Sequence, residues 1–332
     1  MISQSGPQAD SDPLTTLRGL SGRVAVVGSA NVDFTVLTET LPRPGQTVPG
    51  SPLRTLPGGK SANQAVQAAL LGADVRFVGC LGGDASGDLL HSAMSQAGVD
   101  MSDCGRVEGA TGSAIITVDA QAENTIVVSP GANASLTEGF VRRHSAAIAG
   151  ASTLGLCLET PLDGVLAAAR VAGDHGVAVL LNLSPYREVP AELLELTDLL
   201  VVNEGELSDL LATPHPAEAI ARDRRTQSAI AAGLADRGVE RAVVTLGGAG
   251  SLIIQSGAAT AWPALAIPRV VDTTGCGDSF LGALLAALAS GSTLLAAADL
   301  ASLTAGLAAT RPGAQASYAD RTQLAELLAQ RP

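Results

Sequence analysis

Aromatic and basic residues are both scarce in this chain of 332 residues. It contains one Trp, two Tyr and four Phe, so stacking platforms for single-stranded nucleic acid are not expected. Lys and Arg total 20 against 32 Asp and Glu, which gives a formal net charge of −12. That balance argues against a protein that binds nucleic-acid duplexes by neutralising phosphates. A local basic pocket for a small anion stays compatible with it.

Cysteines are few and widely spaced. The four stand at positions 80, 104, 157 and 276 with no CxxC pair, so the sequence indicates neither a zinc site nor a disulfide framework. Cys80 and Cys157 lie in apolar runs, and we expect both to be buried, reduced thiols.

Long apolar runs are also missing. No stretch reaches 18 uninterrupted apolar residues, and the Ala-rich segment 281–298 is broken at 290–293, so no membrane span is expected. Residues 1–20 are polar and acidic, without the basic and apolar regions of a signal peptide, and we predict a disordered leader there. The sequence therefore indicates a cytoplasmic globular protein, with residues 21–332 forming its folded part.

The folded part shows the alternation of an α/β protein. Hydrophobic residues make up 46% of the chain, enough for a sizeable core. Short apolar runs that fit strands buried on both faces recur at 24–27, 75–78, 154–158, 177–181, 199–202 and 242–246. Helical patterns lie between them at 61–71, 87–97, 162–173, 226–237 and 277–289. This order predicts a mostly parallel central sheet with helices on both sides.

Two regions break the alternation. Residues 34–58 carry five prolines with short strand-like pieces between them, and residues 110–129 read as a hairpin with strands at 113–118 and 125–128. We predict that these segments form a small antiparallel sheet. Projecting over a ligand cleft, such a sheet would serve as a lid.

Polar residues follow several of the predicted strands directly. They are Asn31, Asp33, Glu159, Asn182 and Asn203, with Gly247 after the last of these strands. In open α/β sheets, ligands bind outside the carboxyl ends of the strands. Any one of these residues could be a turn or cap residue, but the set predicts a polar site along one edge of the sheet.

The first motif is Pro57-Gly58-Gly59-Lys60-Ser61-Ala62-Asn63-Gln64, which opens a predicted helix. Paired glycines allow the backbone to approach a ligand closely, Ser61 is a plausible N-cap, and Asn63 falls in the first turn. The segment does not fit a Walker A motif.

The second motif is Asp272-Thr273-Thr274-Gly275-Cys276-Gly277-Asp278-Ser279-Phe280, followed by an apolar helix. Small residues at a helix N-terminus leave backbone N–H groups free to bind an anion. Asp278 would stand beside that anion, where a carboxylate is unfavourable unless it accepts a proton from a hydroxyl that attacks phosphorus. The alternative is that Asp278 only caps the helix.

These two segments resemble the two signatures of the ribokinase-like (phosphofructokinase-B) sugar kinase family. Five further elements resemble family motifs in the same order, from about residue 23 to residue 320. They are Asn31-Val32-Asp33, Leu158-Glu159-Thr160-Pro161, Asn203-Glu204-Gly205-Glu206, Thr245-Leu246-Gly247 with Gly250, and Thr310-Arg311-Pro312-Gly313-Ala314-Gln315. The resemblance implies a three-layer α/β sandwich with a β lid, and the combination of N-x-D, GGKxANQ and GAQ elements favours the ribokinase branch.

The resemblance also implies roles for individual residues in transferring the ATP γ-phosphoryl group to a sugar hydroxymethyl, here the 5-hydroxyl of D-ribose. Asp278 would be the base, and the amides of Gly275, Cys276 and Gly277 would form an anion hole. The implied sugar ligands are Asn31, Asp33, Gly58, Gly59, Lys60, Asn63 and Glu159. The implied nucleotide ligands are Asn203, Thr245, Leu246, Gly247, Gly248, Ala249, Gly250 and Gly277, with Glu206 positioning water around Mg²⁺.

A monovalent cation and a second subunit are implied as well. By resemblance, K⁺ would lie beside the anion hole, held by the Asp272 side chain, the backbone carbonyls of Thr274, Ala308, Arg311 and Gly313, and an oxygen of Ser317. A large, weakly hydrated cation suits many oxygen ligands, and its charge would strengthen an anion hole built of neutral amides. Asp272 could instead act only as a turn residue. The exposed edges of the lid need covering, which favours a homodimer through the lid.

Two positions and one segment depart from the family pattern. The segment is Ala301-Ser302-Leu303, which lacks the His or Asn often found on the adenine side, so the resemblance implies no adenine contact there. Cys276 stands where Ala, Ser or Gly is usual, and we expect a thiol near the phosphate to be open to oxidation. Ser61 stands where ribokinases commonly have Gly, and it would either narrow the sugar pocket or cap the helix.

Three alternatives stay open. The chain could be a kinase for another furanose, a nucleoside or a sugar acid. It could be a sugar-binding regulator on the same fold, although Asp278 and the glycines beside it argue against that. An NAD-dependent oxidoreductase is disfavoured because residues 28–32 lack GxGxxG.

Overall fold

A nine-stranded sheet forms the centre of the computed structural model, which describes residues 12–121 and 123–329. Its strand order is β13-β12-β11-β10-β9-β8-β1-β4-β5, and only the two pairings that involve β12 are antiparallel. Its strands are β1 (Arg23–Val27), β4 (Asp74–Gly82), β5 (Cys104–Val107), β8 (Thr153–Leu156), β9 (Ala178–Asn182), β10 (Leu199–Asn203), β11 (Arg241–Thr245), β12 (Ser251–Gln255) and β13 (Ala258–Trp262).

Helices cover both faces of this sheet. They are α1 (Pro13–Arg18), α2 (Lys60–Leu70), α3 (Ala85–Gln96), α4 (Glu138–Arg143), α5 (Ser145–Ala149), α6 (Leu162–His175), α7 (Ala191–Glu195), α8 (Glu204–Leu211), α9 (Ala217–Arg222), α10 (Arg224–Ala235), α11 (Cys276–Ala289), α12 (Leu294–Ala308) and α13 (Arg321–Ala329).

Two hydrophobic cores lie on opposite faces of the sheet. Alternate residues of one strand serve each of them: Val24 and Val26 of β1 face α2, α11 and α12, whereas Ala25 and Val27 face α4 and α6. Side chains in a strand alternate between faces, so a sheet covered on both sides needs apolar residues at every position. The predicted three-layer α/β fold with a mostly parallel sheet is confirmed.

A separate four-stranded sheet makes up the predicted lid. It has the order β3-β2-β6-β7, with β2 (Asn31–Leu37), β3 (Arg54–Gly58), β6 (Gly112–Val118) and β7 (Asn124–Ser129). The β2–β3 and β6–β7 pairings are antiparallel, whereas β2 and β6 run parallel. A parallel pairing needs a long crossover, and the chain from α2 to β5 supplies it through the main body.

The disordered leader predicted for residues 1–20 is wrong for residues 12–20, while residues 1–11 lie outside the described part. Asp12 caps α1 by accepting hydrogen bonds from the amides of Leu14 and Thr15. Leu17 and Leu20 are buried, and α1 packs on α12 and α13. The average polarity of the segment concealed an N-cap followed by correctly spaced leucines.

The described residues include no helix with the length and hydropathy needed to cross a bilayer. Cys80 and Cys157 are buried, as predicted, and all four cysteines are free.

Candidate active site

The predicted sugar ligands converge where β1 and β8 end and the lid sheet begins. Asn31 opens β2 and pairs in register with Gly58, the last residue of β3. Lys60 and Asn63 lie in the first turn of α2, and Asn63 Nδ2 donates to Asp278 Oδ2 at 2.9 Å. The fold therefore joins three segments that are far apart in the chain, at residues 31, 58–63 and 278.

The glycine pair exists because the chain approaches itself closely. A Cβ on Gly58 would lie 2.2–2.5 Å from the carboxylate atoms of Asp33. Gly59 has φ +90°, and a Cβ there would lie 2.6 Å from the amide nitrogen of Asn31. These two glycines hold the start of α2 against β2, so residues 31–33 and 58–60 form one wall.

Glu159 and Asp278, which face this wall, are each tied to fixed hydrogen-bond donors. Glu159 Oε2 accepts from Ser29 Oγ at 2.6 Å and from the Lys60 amide at 3.0 Å. Asp278 Oδ1 accepts from Gln64 Nε2 at 3.4 Å, in addition to the bond from Asn63. Gln315 Nε2 donates to Asn63 Oδ1 at 3.0 Å, which orients the Asn63 amide with its Nδ2 toward Asp278.

Three carboxylates, those of Asp33, Glu159 and Asp278, share this site, and the pKa values of Asp33 and Asp278 are shifted there. Burial, reinforced by the charges of Glu159 and Asp278, raises the pKa of Asp33 to about 7. Burial also raises the pKa of Asp278, against the opposing effects of Lys60 and Asn63. Burial lowers the pKa of Lys60, but the charges of Asp278 and Glu159 outweigh it and leave that pKa raised. The positive charge of Lys60 thus offsets part of the negative charge of the carboxylates. A buried carboxylate with a raised pKa is suited to accept a proton.

Helix α11 begins beside Asp278 with an open N-terminus. Gly275, in the left-handed region at φ +74°, is its N-cap and offers no side-chain hydrogen bond. Asp278 is therefore not the cap, since its carboxylate turns to Asn63 and Gln64. Of the three predicted anion-hole amides, that of Cys276 is engaged here, since it donates to the Thr273 carbonyl at 3.2 Å; beside it, a Cβ on Gly277 would meet nothing within 4 Å. Open backbone at the start of a 14-residue helix suits an anion.

Asp272 links two segments behind this N-terminus. It accepts from the amide of Thr274 at 2.9 Å and from that of Gly313 at 2.8 Å. Burial raises the pKa of Asp272, but these hydrogen bonds outweigh it and the net shift is downward. Ser317 Oγ donates to the Ala314 carbonyl at 2.7 Å, and the Ala308 carbonyl accepts the Arg311 amide at 3.1 Å. Both Asp272 oxygens thus hold backbone amides, as a turn residue would.

A cleft of about 890 Å³ adjoins the other side of α11. Among the predicted nucleotide ligands and anion-hole residues, those that line it are Asn203, Thr245, Leu246, Gly247, Gly248, Gly250, Cys276 and Gly277. Gly275, Ala249 and Glu206 are not part of its lining. Glu206 and Asn203 instead form a capping box on α8, with both hydrogen bonds at 2.8 Å. Asn182, also noted in the sequence, donates to the Val201 carbonyl and braces β9 against β10.

Much of the cleft wall lies outside the predicted nucleotide ligands. Thr273 and Phe280 belong to the second motif and Ser302 to the segment 301–303, whereas sequence reasoning missed Ala264, Leu265, Ala266, Ile267, Val270, Ala305, Gly306 and Ala309. Most of these residues are small or apolar and belong to no polar motif, so the sequence offers no signal for them. Among the described residues, no cluster of three or more His, Cys, Asp or Glu side chains is placed to hold a metal ion.

Comparison with known proteins identifies the architecture around these two sites. The family model described as pfkB family carbohydrate kinase matches residues 21–321. The chain belongs to this family of carbohydrate kinases. A ribokinase of Haemophilus influenzae is 35% identical over 306 residues, covering 92% of this chain and 98% of the relative. A deoxyribokinase of Salmonella typhi is 32% identical and covers 92% and 98%, respectively.

Solved structures agree with this family membership. The structure of Arabidopsis thaliana ribokinase complexed with ribose and ATP matches with a TM-score of 0.85 and 32% identity, covering 93% of this chain and 99% of that one. A ribokinase of Thermotoga maritima matches with a TM-score of 0.82 and 29% identity, covering 93% and 100%.

The departures from the pfkB pattern at Ser61 and Cys276 have structural explanations. The Ser61 side chain is fully buried, with Oγ 3.0 Å from Cys157 Sγ, and it fills space that a Cβ on Gly28 would occupy. It makes no cap hydrogen bond and packs into the interior, which contradicts both sequence expectations for it. Burial raises the pKa of Cys276 to about 11, so its thiol stays protonated near neutral pH and the expected ease of oxidation does not follow.

Proposed function

We propose that this pfkB family kinase is a ribokinase, which transfers the γ-phosphoryl group of ATP to the 5-hydroxyl of D-ribose and yields ribose 5-phosphate and ADP. The observation that carries the proposal is the position of Asp278. It lies at the start of α11, between the cluster of Asn63, Lys60 and Glu159 on one side and the 890 Å³ cleft on the other. The relatives named ribokinase, and the Arabidopsis ribokinase complexed with ribose and ATP, support ribose as the acceptor.

The chemistry follows from the same arrangement. Asn31, Asp33, Gly58, Gly59, Lys60, Asn63 and Glu159 would bind the sugar through its hydroxyls. Asp278, with a raised pKa, would accept the proton of the attacking hydroxyl. The backbone at Gly275, Cys276 and Gly277, with the dipole of α11, would stabilise the charge on the transferred group. ATP would occupy the cleft lined by Asn203 and the loop 245–250.

Two cations belong to this proposal. Mg²⁺ takes carboxylate ligands and keeps several waters, and Glu206 has one carboxylate oxygen outside its capping bond for such a water. When bound, Mg²⁺ would supply charge neutralisation for the phosphates. Asp272 brings residues 272–274 and 313 together, so its charge and the carbonyls of Thr274, Arg311 and Gly313, with Ala308 and Ser317 nearby, would hold K⁺. We expect activity to rise several-fold when K⁺ replaces a bulky organic cation at constant ionic strength, and an indifferent enzyme would rule this out.

A coupled assay of ADP release tests the function. The purified protein would be given ATP, Mg²⁺ and K⁺ with D-ribose, 2-deoxy-D-ribose, D-fructose or a nucleoside, and the Asp278→Asn variant would serve as the control. We expect the highest kcat/KM with D-ribose and a large loss in the variant. A higher kcat/KM for another acceptor would assign the enzyme to that substrate, and sugar-independent ADP release would argue against a sugar kinase.

A second candidate is 2-deoxy-D-ribose, because the Salmonella typhi deoxyribokinase is nearly as similar as the ribokinases. Both acceptors present the same hydroxymethyl group to Asp278. The ratio of the two kcat/KM values decides between them. The oxidoreductase alternative is excluded by the family of the chain.

We further propose a homodimer that joins two lid sheets. The supporting observation is that both faces of the β6–β7 hairpin expose apolar side chains, each at least half exposed: Ile115 and Val127, which pair in register, on one face, and Ile126 and Val128 on the other. Light scattering at micromolar protein should give about twice the 33.1 kDa chain mass, and Val127→Lys should return it to one. A wild-type mass of a single chain would contradict the dimer. We also propose a cytoplasmic location, because the reaction consumes ATP.

A further inference from the structure

We propose that Asn133 is a positioning residue that fixes the side-chain amide of Asn31 as a hydrogen-bond donor toward the sugar. The proposal rests on the proposed kinase function and concerns the polarity of its sugar site. Asn133 lies in the 3₁₀ turn Gly131–Ser135, directly after the lid hairpin, and only 1% of its surface is exposed.

Asn133 makes three hydrogen bonds to two consecutive residues. Its Oδ1 accepts from the amide of Ala30 at 3.0 Å. Its Nδ2 donates to the carbonyl of Ala30 at 3.3 Å and to Oδ1 of Asn31 at 2.7 Å. Ala30 and Asn31 are buried as well, so each of these bonds is shielded from water.

The backbone of Ala30 decides which way both side-chain amides point. A backbone N–H can only donate and a carbonyl can only accept, so Asn133 must place Oδ1 on the first and Nδ2 on the second. Because Asn133 Nδ2 is a donor, the atom of the Asn31 side chain that it contacts must be the acceptor, Oδ1. The Nδ2 of Asn31 is therefore turned away from this pair, and the described part of the chain offers it no hydrogen-bond acceptor. It is left for a ligand oxygen.

The same contact ties the lid to the site. Asn31 begins β2, Gly112 begins β6 and pairs with Asn31 in register, and Asn133 follows β7. A Cβ on Gly112 would lie 2.1 Å from Asn133 Nδ2 and 2.4 Å from Asn31 Oδ1. Three ends of the lid strands thus meet at one buried bond, and Gly112 is needed for its close approach. Asn133 reaches the sugar only through Asn31.

The substitution Asn133→Asp replaces the donor with an acceptor at nearly constant volume. Asn31 can then no longer keep its Oδ1 toward position 133, and its amide turns to present an acceptor to the sugar. We expect KM for ribose to rise about tenfold, the cost of one misdirected hydrogen bond, with kcat and KM for ATP within about threefold of wild type. In the Asn31→Ala background the same substitution should change KM for ribose less than twofold.

A control and a second variant keep the test decisive. Gln227→Glu changes another buried amide, whose Nε2 donates to the Ile220 carbonyl at 2.9 Å in a remote helix, and it should leave KM for ribose unchanged. Asn133→Ser introduces no charge and serves if Asn133→Asp does not fold; it should raise KM for ribose about threefold or more and lose this effect in the Asn31→Ala background.

The outcomes distinguish a failure of the positioning role of Asn133 from a failure of the proposed kinase function. A folded Asn133 variant with unchanged KM for ribose would overturn the positioning role, as would effects that simply add to those of Asn31→Ala. Equal losses in kcat, KM for ATP and KM for ribose would indicate a structural role alone and also overturn it. A wild-type protein that phosphorylates no ribose would instead reject the proposed function.

Discussion

The proposed sugar site and the proposed nucleotide cleft, which lie on either side of the start of α11, are built in different ways. On the sugar side, Glu159 and Asp278 are held by side-chain and backbone donors at 2.6–3.4 Å, on elements that are largely buried. On the nucleotide side, the wall is mostly glycine, alanine and branched apolar residues, with Asn203, Glu204, Thr245, Thr273 and Ser302 among them. Under the proposed function, the first site would recognise the sugar with oriented side chains, and the second would offer shape and backbone groups to the nucleotide.

This contrast has a physical reason. A polyol is recognised by hydrogen bonds of defined polarity, which require donors and acceptors fixed in advance. A nucleotide brings its own charge and a flat base, so backbone amides at a helix N-terminus and an apolar slot are enough to bind it. Substitutions of side chains should therefore change the kinetic constants most on the sugar side. Changes of backbone shape should change them most on the nucleotide side.

Asp278→Asn should have the largest effect of any conservative change in the cleft. The amide keeps the shape and the contact with Asn63 but cannot accept the proton, so kcat should fall about 10²–10⁴-fold while the protein stays folded. Steady-state kinetics and thermal unfolding would measure this. Asp209→Asn, an exposed change on α8, is the matched control and should leave kcat unaltered. Turnover of Asp278→Asn within a few-fold of wild type would remove Asp278 as the base.

Gly277→Ala tests the backbone half of the comparison. The added methyl would meet no protein atom within 4 Å, so the fold should tolerate it, but the methyl would occupy the mouth of the anion hole. We expect kcat/KM for ATP to fall about 10²-fold, comparable to losing an anion-hole donor. Gly83→Ala is the control, since a Cβ there also meets nothing and φ is ordinary. Unchanged kinetics in Gly277→Ala would mean that the phosphoryl group lies elsewhere.

The pH dependence of sugar capture should report Asp33. Its pKa is about 7 in the free protein, so it is mostly protonated at pH 6 and mostly ionised at pH 8. Because the carboxylate is the better acceptor for sugar hydroxyls, kcat/KM for ribose should rise about tenfold across that interval. In Asp33→Asn the midpoint near pH 7 should disappear, because the carboxyl group that titrates there has been removed. The same midpoint near pH 7 in both proteins would contradict the assignment.

Cys276→Ala should have the smallest effect, and it tests whether a side chain on the nucleotide side contributes to activity. The Cys276 thiol lines the nucleotide cleft, but its pKa of about 11 keeps it protonated. We expect kcat to stay within about twofold of wild type and alkylation by iodoacetamide at pH 7 to be slow. Rapid inactivation of the wild type that Cys276→Ala prevents would show that this thiol is reactive after all.

The same contrast explains what the sequence could predict. Residues 57–64 and 272–280 were recognisable because glycines and polar residues stand together at strand and helix ends. The cleft wall at residues 264–267 could not be recognised, because apolar residues in a loop form no sequence pattern that indicates a binding site. Asn133 looks like an ordinary turn residue in the sequence. Only the pairing of β6 with β2 brings it to Asn31.

Helix α1 is a second element that local composition could not predict. The polar character of residues 1–20 suggested disorder, yet Asp12 and Leu17 supply a cap and a buried anchor. The docking partner of Leu17 is formed by α12 and α13, which lie near the other end of the sequence. Local composition could not reveal that surface.

The most direct test of the account is the identity of the product. Protein would be incubated with ATP, Mg²⁺, K⁺ and D-ribose, and the product analysed by ³¹P–¹H correlation NMR, with Asp278→Asn in parallel. We predict that the transferred phosphorus couples to the two protons on carbon 5 of ribose, at a rate that falls with Asp278→Asn. Phosphorus attached at another carbon, or released only as inorganic phosphate, would contradict the account.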